Sequence, residues 1–308
     1  MKIGLLVWDY SGDDTDGPGL LEFGRRRGHD MSAFALEDVR YRRTAGAATV
    51  LLGGVDANRY DAVISRANLL GAGWKEALPR TAGAWRSRAE RLSMVSAALG
   101  PRMFDPAEVW FRGCSKFLMA QSLAAGGFPV PPFRSASTVD DVSAALTEWG
   151  DVVVKPSYGL QGIDVERVTD LPAQRDLVHD LLVRYGTLIC QPFHPTQYGE
   201  YRITVAGETT PINMLKLPPA DTWRCKTTQG ASFERFDAPD DLIDLAVRAA
   251  RHMGATYAGL DILPTSDGYT ILEVNPVPGF LGMFGEPSRS EGYAGIFDWI
   301  DTQLATLN

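Results

Sequence analysis

The chain is poor in cysteine. Its three cysteines, Cys114, Cys190 and Cys225, are odd in number and far apart along 308 residues. That spacing argues against a disulfide framework and against a zinc cluster, and it fits a reducing, cytoplasmic compartment. The four histidines, His29, His179, His194 and His252, are scattered without metal-ligand spacing. Long apolar runs are missing as well. The N-terminal MKIGLLVWDYSGDD meets acidic residues after one short apolar run, so it reads as neither a signal peptide nor a membrane span. Long basic runs are missing, and the formal net charge is −8. Neither a nucleic acid nor a membrane is therefore an expected partner, and any anionic ligand needs a local cationic pocket. G-x-x-x-x-G-K-[ST] and G-x-G-x-x-G are both absent, which excludes a P-loop and a dinucleotide fingerprint. There are no internal repeats and no low-complexity tails.

What is there is ordinary for a soluble globular protein, 45% hydrophobic and 22% charged, and long enough for two or three compact units. IGLLVW, MSAFAL and DAVISR read as strands, with a helix between the first two that starts near Pro18 and ends at Gly28. Strands alternating with helices predict a small α/β unit with a parallel sheet. TAGAWRSRAERLSMVSAALG reads as a helix. Further on, Ser115 and Thr138 are candidate helix caps for KFLMAQSLAAGG and TVDDVSAALTEW. DVVVKPSYGLQGIDVERV is strand, glycine loop, strand. After a helix through LPAQRDLVHDLLVRYG, strands dominate from Leu188, interrupted by the amphipathic DDLIDLAVRAARHMG, and GYAGIFDWIDTQL closes as a helix.

The stretch LDILPTSDGYTILEVNP places Asp261, Glu273 and Asn275 in two otherwise apolar strands. A buried carboxylate needs a positive partner. Glu273 and Asn275 are two apart and share a face. Asp261 joins them only if it pairs with Glu273. A three-residue turn at Ser266-Asp267-Gly268, with Gly268 left-handed, gives that register and is the turn expected. Three hard oxygen ligands without His or Cys suit Mg²⁺. A solvent-facing polar stripe is the competing account.

Cations elsewhere favour the metal. Lys155 ends an apolar strand and precedes Gly159 and Gly162, so its ammonium and the loop's backbone N–H groups can meet a phosphate. Lys116 lies on an otherwise apolar helix. Arg202 lies inside a strand on the same face as Glu200. Arg224 and Lys226 follow in DTWRCKTTQG.

In this order SKFLMAQSLAAGGFPVPP, VVVKPSYGLQG, QPF, EYRITVAGE, LDIL and LEVNPVPGF resemble the ATP-grasp enzymes. They are most similar to the RimK-type branch of carboxylate–amine ligases, which includes glutamate ligases acting on peptide or cofactor ends. The likeness covers roughly Lys116 to Phe280, with a weaker match of the N-terminal unit to the domain that precedes ATP-grasp cores. It implies an α/β (α+β) fold in which two subdomains sandwich ATP: an N-terminal domain over 1–105, a central subdomain with a glycine-rich lid over 106–187, and a C-terminal subdomain with the metal site over 188–308.

By the same resemblance Lys116, Lys155, Ser157, Gly159 and Gly162 contact ATP, and Gln191, Pro192 and Phe193 form the hinge that holds adenine. Glu200 meets the nucleotide sugar. Arg202 and Arg224 face the γ-phosphate and the acyl intermediate. Asp261, Glu273 and Asn275 bind two Mg²⁺, for which Mn²⁺ can substitute. The implied reaction is ADP-forming amide synthesis between a carboxylate and an amino acid or amine, through an acyl phosphate, in a homo-oligomer (a dimer or tetramer). A peptide end is an alternative substrate, as in ATP-grasp macrocyclases, and a phosphotransferase is an alternative activity. Lys226 and Gln229 depart from the Asn and Arg of the RimK-type loop, which puts a glutamate-type substrate in doubt and makes Lys226 a candidate substrate contact.

Overall fold

The computed structural model describes residues 1–7, 14, 16–44, 46–67, 69, 82–159, 162–225, 230–279 and 285–307. The helix expected over TAGAWRSRAERLSMVSAALG is described from Ala82, and its first residue lies outside that set, as do most of the loop DYSGDDTDG, Phe280, Lys226 and Gln229.

The first strands are largely buried, which is why they read as unbroken apolar runs. They are β1 (Lys2–Leu6), β2 (Asp30–Phe34) after α1 (Gly17–Arg26), and, beyond an antiparallel insertion of β3 (Val39–Thr44), β4 (Ala47–Leu52) and β5 (Val55–Asp56), β6 (Ala62–Ser65). After α2 (Ala82–Leu99) comes β7 (Met103–Phe104), which completes a parallel sheet in the order β2-β1-β6-β7. Ile3, Leu5 and Ile64 pack with Leu20 of α1 on one side, while Leu6, Phe34 and Val63 pack with Leu92, Val95 and Leu99 of α2 on the other. The inserted three-stranded sheet is not foreseen in the sequence reading.

Two helices follow, α3 (Ala107–Cys114) and α4 (Lys116–Ala125). The Ser115 hydroxyl accepts a hydrogen bond from the Leu118 N–H at 3.3 Å, as its capping role requires. The central sheet comprises β8 (Arg134–Ala136), β9 (Val152–Pro156), β10 (Glu166–Val168) and β11 (Leu188–Pro192) in the order β10-β9-β11-β8, with α5 (Val139–Trp149) and α6 (Leu171–Tyr185) supplying its apolar cover. Leu188–Pro192, read above with the C-terminal unit, is hydrogen-bonded into this sheet beside β9. Conversely, α4 puts Met119 and Leu123 into the core of the last sheet.

That last sheet is antiparallel, in the order β14-β13-β12-β15-β16. It is made of β12 (Glu200–Ala206), β13 (Thr209–Leu217), β14 (Ser232–Arg235), β15 (Tyr257–Thr265) and β16 (Gly268–Asn275). Between β14 and β15 runs α7 (Asp240–Met253), whose buried Leu242, Leu245, Ala246, Ala249 and Met253 recur at helical spacing against Ile203, Val205, Leu260 and Ile262. The final helix, α8 (Ser288–Leu307), packs Tyr293, Ile296, Phe297 and Ile300 against both the N-terminal sheet and β13. No helix among the described residues is long and apolar enough to cross a membrane.

The β15–β16 turn corrects one expectation. Thr265 pairs with Gly268, so the turn has two residues, Ser266 and Asp267, not three. Asp261 still pairs with Glu273, because the register shifts between Asp261 and Ile262, which leaves Leu272 as an extra residue in β16. The bulge, not the turn, brings the carboxylates together.

Thr138 forms a full capping box: its hydroxyl accepts from the Asp141 N–H, and the Asp141 carboxylate accepts from the Thr138 N–H at 2.9 Å. Thr138→Ala is expected to cost about 1 kcal/mol in denaturant unfolding with nucleotide affinity unchanged.

Candidate active site

One face of the C-terminal sheet is apolar and lies on α7. At its open end the other face carries charge. Glu200 stands opposite Lys216, Arg202 opposite Asp261, and Asp261 opposite Glu273, so ionic side chains run across β13, β12, β15 and β16 in one line. Asn275 is two residues beyond Glu273 on the same strand and stands opposite Gly259. That glycine makes room for the arginine: a Cβ there would lie 2.8 Å from Arg202 Nη1.

Asp261 is the centre of the line and is only 6% exposed. Arg202 grips it with both arms, Nε to Oδ1 at 2.6 Å and Nη2 to Oδ2 at 2.8 Å. Lys216 Nζ donates to Oδ1 at 2.7 Å, and Asn275 Nδ2 to Oδ2 at 3.3 Å. Burial alone pushes this carboxyl up, but Arg202 and Lys216 outweigh it and hold Asp261 below the usual carboxylate range. Lys216 is itself buried and also pairs with Glu200. Sequence reading passed over Lys216. Its pairing with Glu200 shows only once β13 is set against β12 in register.

Two further lysines reach the same place. Lys116 Nζ lies 3.1 Å from Glu273 Oε1 and donates to the Gly159 carbonyl at 3.0 Å. Burial, and then the neighbouring Lys116, push the Lys155 ammonium down to about 8, against the pull of Glu273 and Asp261. Among the described residues Lys116, Lys155, Arg202 and Lys216 thus oppose Glu200, Asp261 and Glu273. This is the local cationic excess that an acidic chain needs in order to hold an anion.

The root of the glycine loop is stitched to the start of α4. Lys116 N–H donates to the Ser157 carbonyl at 2.8 Å, Ser115 bridges Tyr158, and the Ser115 and Ser157 hydroxyls are 3.4 Å apart. Gly162 has φ +62, a left-handed value that favours glycine. Gln191 is buried, Pro192 ends β11, and Phe193 N–H donates to the Asp151 carbonyl at 2.9 Å. The Phe193 ring lies under the Arg167 guanidinium at 3.8 Å and meets the edge of Trp223 at 5.5 Å. Arg224 stands apart from the charged line. Its Nη2 donates to Glu166 Oε2 at 2.6 Å and to the Val165 carbonyl at 2.9 Å. The structure therefore gathers Lys116, Lys155, Glu200, Arg202, Asp261, Glu273 and Asn275. It places Arg224 against Glu166 at the start of β10.

The donor set fits Mg²⁺. Two carboxylates and an amide oxygen on one sheet face are hard ligands, and Mg²⁺ is commonly held by one or two carboxylates together with substrate phosphates. Among the described residues no three His, Cys, Asp or Glu side chains converge.

Lys216→Met leaves two carboxylates short of a buried cation. It is expected to destabilise the nucleotide-free protein by about 3 kcal/mol. Combined with Asp261→Asn the loss is less than the sum of the single losses, as chemical denaturation of the four proteins will measure.

Residues 114–290 match the RimK-like ATP-grasp domain. A tetrahydromethanopterin:alpha-L-glutamate ligase of Methanocaldococcus jannaschii is 24% identical over 59% of this chain and 64% of its own length, so the match leaves more than a third of that relative uncovered. A probable alpha-L-glutamate ligase of Xanthomonas euvesicatoria is 29% identical over 86% of both chains. Among solved structures, the ATP-grasp ligase PsnB, complexed with a phosphomimetic variant of a minimal precursor, Mg and ADP, superposes with a TM-score of 0.69 over 98% of both chains at 21% identity. With more than half of its length matched, and with the predicted mixed α/β architecture present, this chain belongs to the RimK-like ATP-grasp family.

Proposed function

We propose that this protein, an ATP-dependent ligase by family, joins a carboxylate to an amine as an amide through an acyl phosphate. The observation that carries this reading is the line Lys216–Arg202–Asp261–Glu273 on one sheet face, met by Lys116 and Lys155 from the lid side. Alpha-L-glutamate ligase relatives support the reaction class.

In the first step a substrate carboxylate oxygen bonds to the γ-phosphorus and the bond to ADP breaks. In the second the amine nitrogen bonds to the acyl carbon, phosphate leaves with the former carboxylate oxygen, and the nitrogen gives up a proton. Lys116 and Lys155 hold the phosphates. The backbone of Gln191, Pro192 and Phe193 holds adenine, and Glu200, steadied by Lys216, meets the sugar. Arg202 stays on Asp261 and fixes the plane of its carboxylate. When bound through Asp261, Glu273 and Asn275, Mg²⁺ screens the repulsion between the γ-phosphate and the incoming carboxylate. The loop rooted at Ser157 shields the acyl phosphate from water. Arg224 can serve the acyl phosphate only by exchanging Glu166 for it.

Three measurements test this. ADP release with Mg·ATP, run against paired carboxylates and amino acids with mass spectrometry of each product, is expected to yield a pair whose product is one water lighter than the sum. The set includes peptides, because the solved neighbour PsnB is complexed with a variant of a minimal precursor. A phosphorylated product that no amine consumes would make the protein a phosphotransferase. Glu273→Gln should abolish turnover with the fold intact, and full activity would remove the metal assignment. Finally, a phosphate beside Lys155 favours its charged form. At a pH above about 8, where free Lys155 is mostly neutral, nucleotide binding should take up a proton; well below that value it should not. Calorimetry in buffers of different ionisation enthalpy reads this, and Lys155→Met should erase it.

A further inference from the structure

The strand β3 does not fit an acidic protein. It reads VRYRRT, and every residue after Val39 is exposed, with Tyr41 at 59%. It is the edge of the inserted sheet, in the order β3-β4-β5, and among the described residues it pairs only with β4. Half of its backbone N–H and C=O groups therefore point away from the sheet, free for another strand. Among the described residues its arginines have no acidic partner. Opposite Arg40, Arg42 and Arg43 on β4 stand Leu51, Thr49 and Ala48. Arg40 folds back onto the Glu37 and Val39 carbonyls, whereas Arg42 and Arg43 have no ion-pair partner among the described residues. This happens in a chain whose net charge is −8.

We infer that β3 is a docking edge for an extended acidic peptide segment, which adds to the sheet as a further strand. Strand addition draws affinity from backbone hydrogen bonds and specificity from alternate side chains. Arg40 and Arg42 are two apart and share a face, so acids two apart in the partner meet them, while apolar residues between those acids lie beside Tyr41. Guanidinium suits this use because it pairs with carboxylates through two parallel hydrogen bonds. A second copy of this chain is a poor occupant, since antiparallel β3 strands would set arginines against arginines. Charge on an edge strand also discourages self-association. That role needs no backbone recognition, and the test separates the two.

The probe is a fluorescein-labelled peptide of alternating glutamate and valine, titrated with the full-length protein and followed by anisotropy. The expected result is saturable binding that falls at least about tenfold in R40E/R42E, a fold-change that two lost and reversed cross-strand charge pairs can supply. The lysine–valine counterpart should not bind. N-methylation of alternate amides in the acidic peptide should abolish binding while leaving its charge intact. Both arginines are exposed and outside the charged line of the C-terminal sheet, so the double variant should keep its melting temperature and nucleotide binding. The inference is overturned if R40E/R42E binds the acidic peptide as well as the unaltered protein does, or if the N-methylated peptide binds equally. It is overturned too if single-stranded oligothymidylate or anionic phosphatidylserine vesicles compete for β3 at lower concentration than the peptide.

Discussion

A single buried carboxylate organises the reacting end of this molecule. Asp261 is nearly inaccessible, and an uncompensated charge there would cost several kcal/mol. Three side chains from three other strands meet it: Arg202 of β12, Lys216 of β13 and Asn275 of β16. Each can do so only if the sheet pairs in the observed register. The same register brings Glu273 beside Asp261 and Glu200 beside Lys216. A slip of one residue would turn the ionic line toward α7 and its leucines and alanines. Charge compensation and apolar packing thus select the same register from opposite faces of the sheet.

This is also why a strand-borne platform suits a charged nucleotide. Strands resist the small displacements that loops allow, so the oxygens of Asp261, Glu273 and Asn275 keep their spacing while the Lys116 and Lys155 side chains come from the other side. The segment after Asn275 is tied down as well. Fully buried Arg66, at the end of the N-terminal parallel sheet, grips Asp14 and donates to the Pro278 carbonyl at 2.9 Å. The last helix, α8, packs on that sheet and on β13. The N-terminal unit is thereby bonded to the exit of β16.

What was legible in the sequence was local or periodic. Ser115 and Thr138 cap helices because short-range hydrogen bonding decides that alone. Asp261, Glu273 and Asn275 stood out because oxygen-bearing residues interrupt apolar strands, and Glu200 and Arg202 because a period of two places them together. What was not legible depended on tertiary choices. The Leu272 bulge has no side-chain signature, so a turn was asked to do its work. Lys216 reads as one charge near a strand end until β13 is set against β12 in register. Leu188–Pro192 looks like the first of the later strands, yet it pairs with Val152–Pro156, a long-range choice that strand composition does not encode. Arg224 was placed by resemblance, and its pairing with Glu166 depends on how the loop crosses to the lid strand.

The central claim is that the charged face of the C-terminal sheet is where metal-bound nucleotide sits. Crystals grown with ADP and Mn²⁺ test it most directly, because Mn²⁺ scatters anomalously and reports its own position. The account predicts anomalous density in contact with the oxygens of Asp261, Glu273 and Asn275, with the diphosphate between the ion and Lys155. Nucleotide bound with the ion elsewhere, or with those three side chains still sealed against Arg202, Lys216 and Lys116 alone, would contradict it.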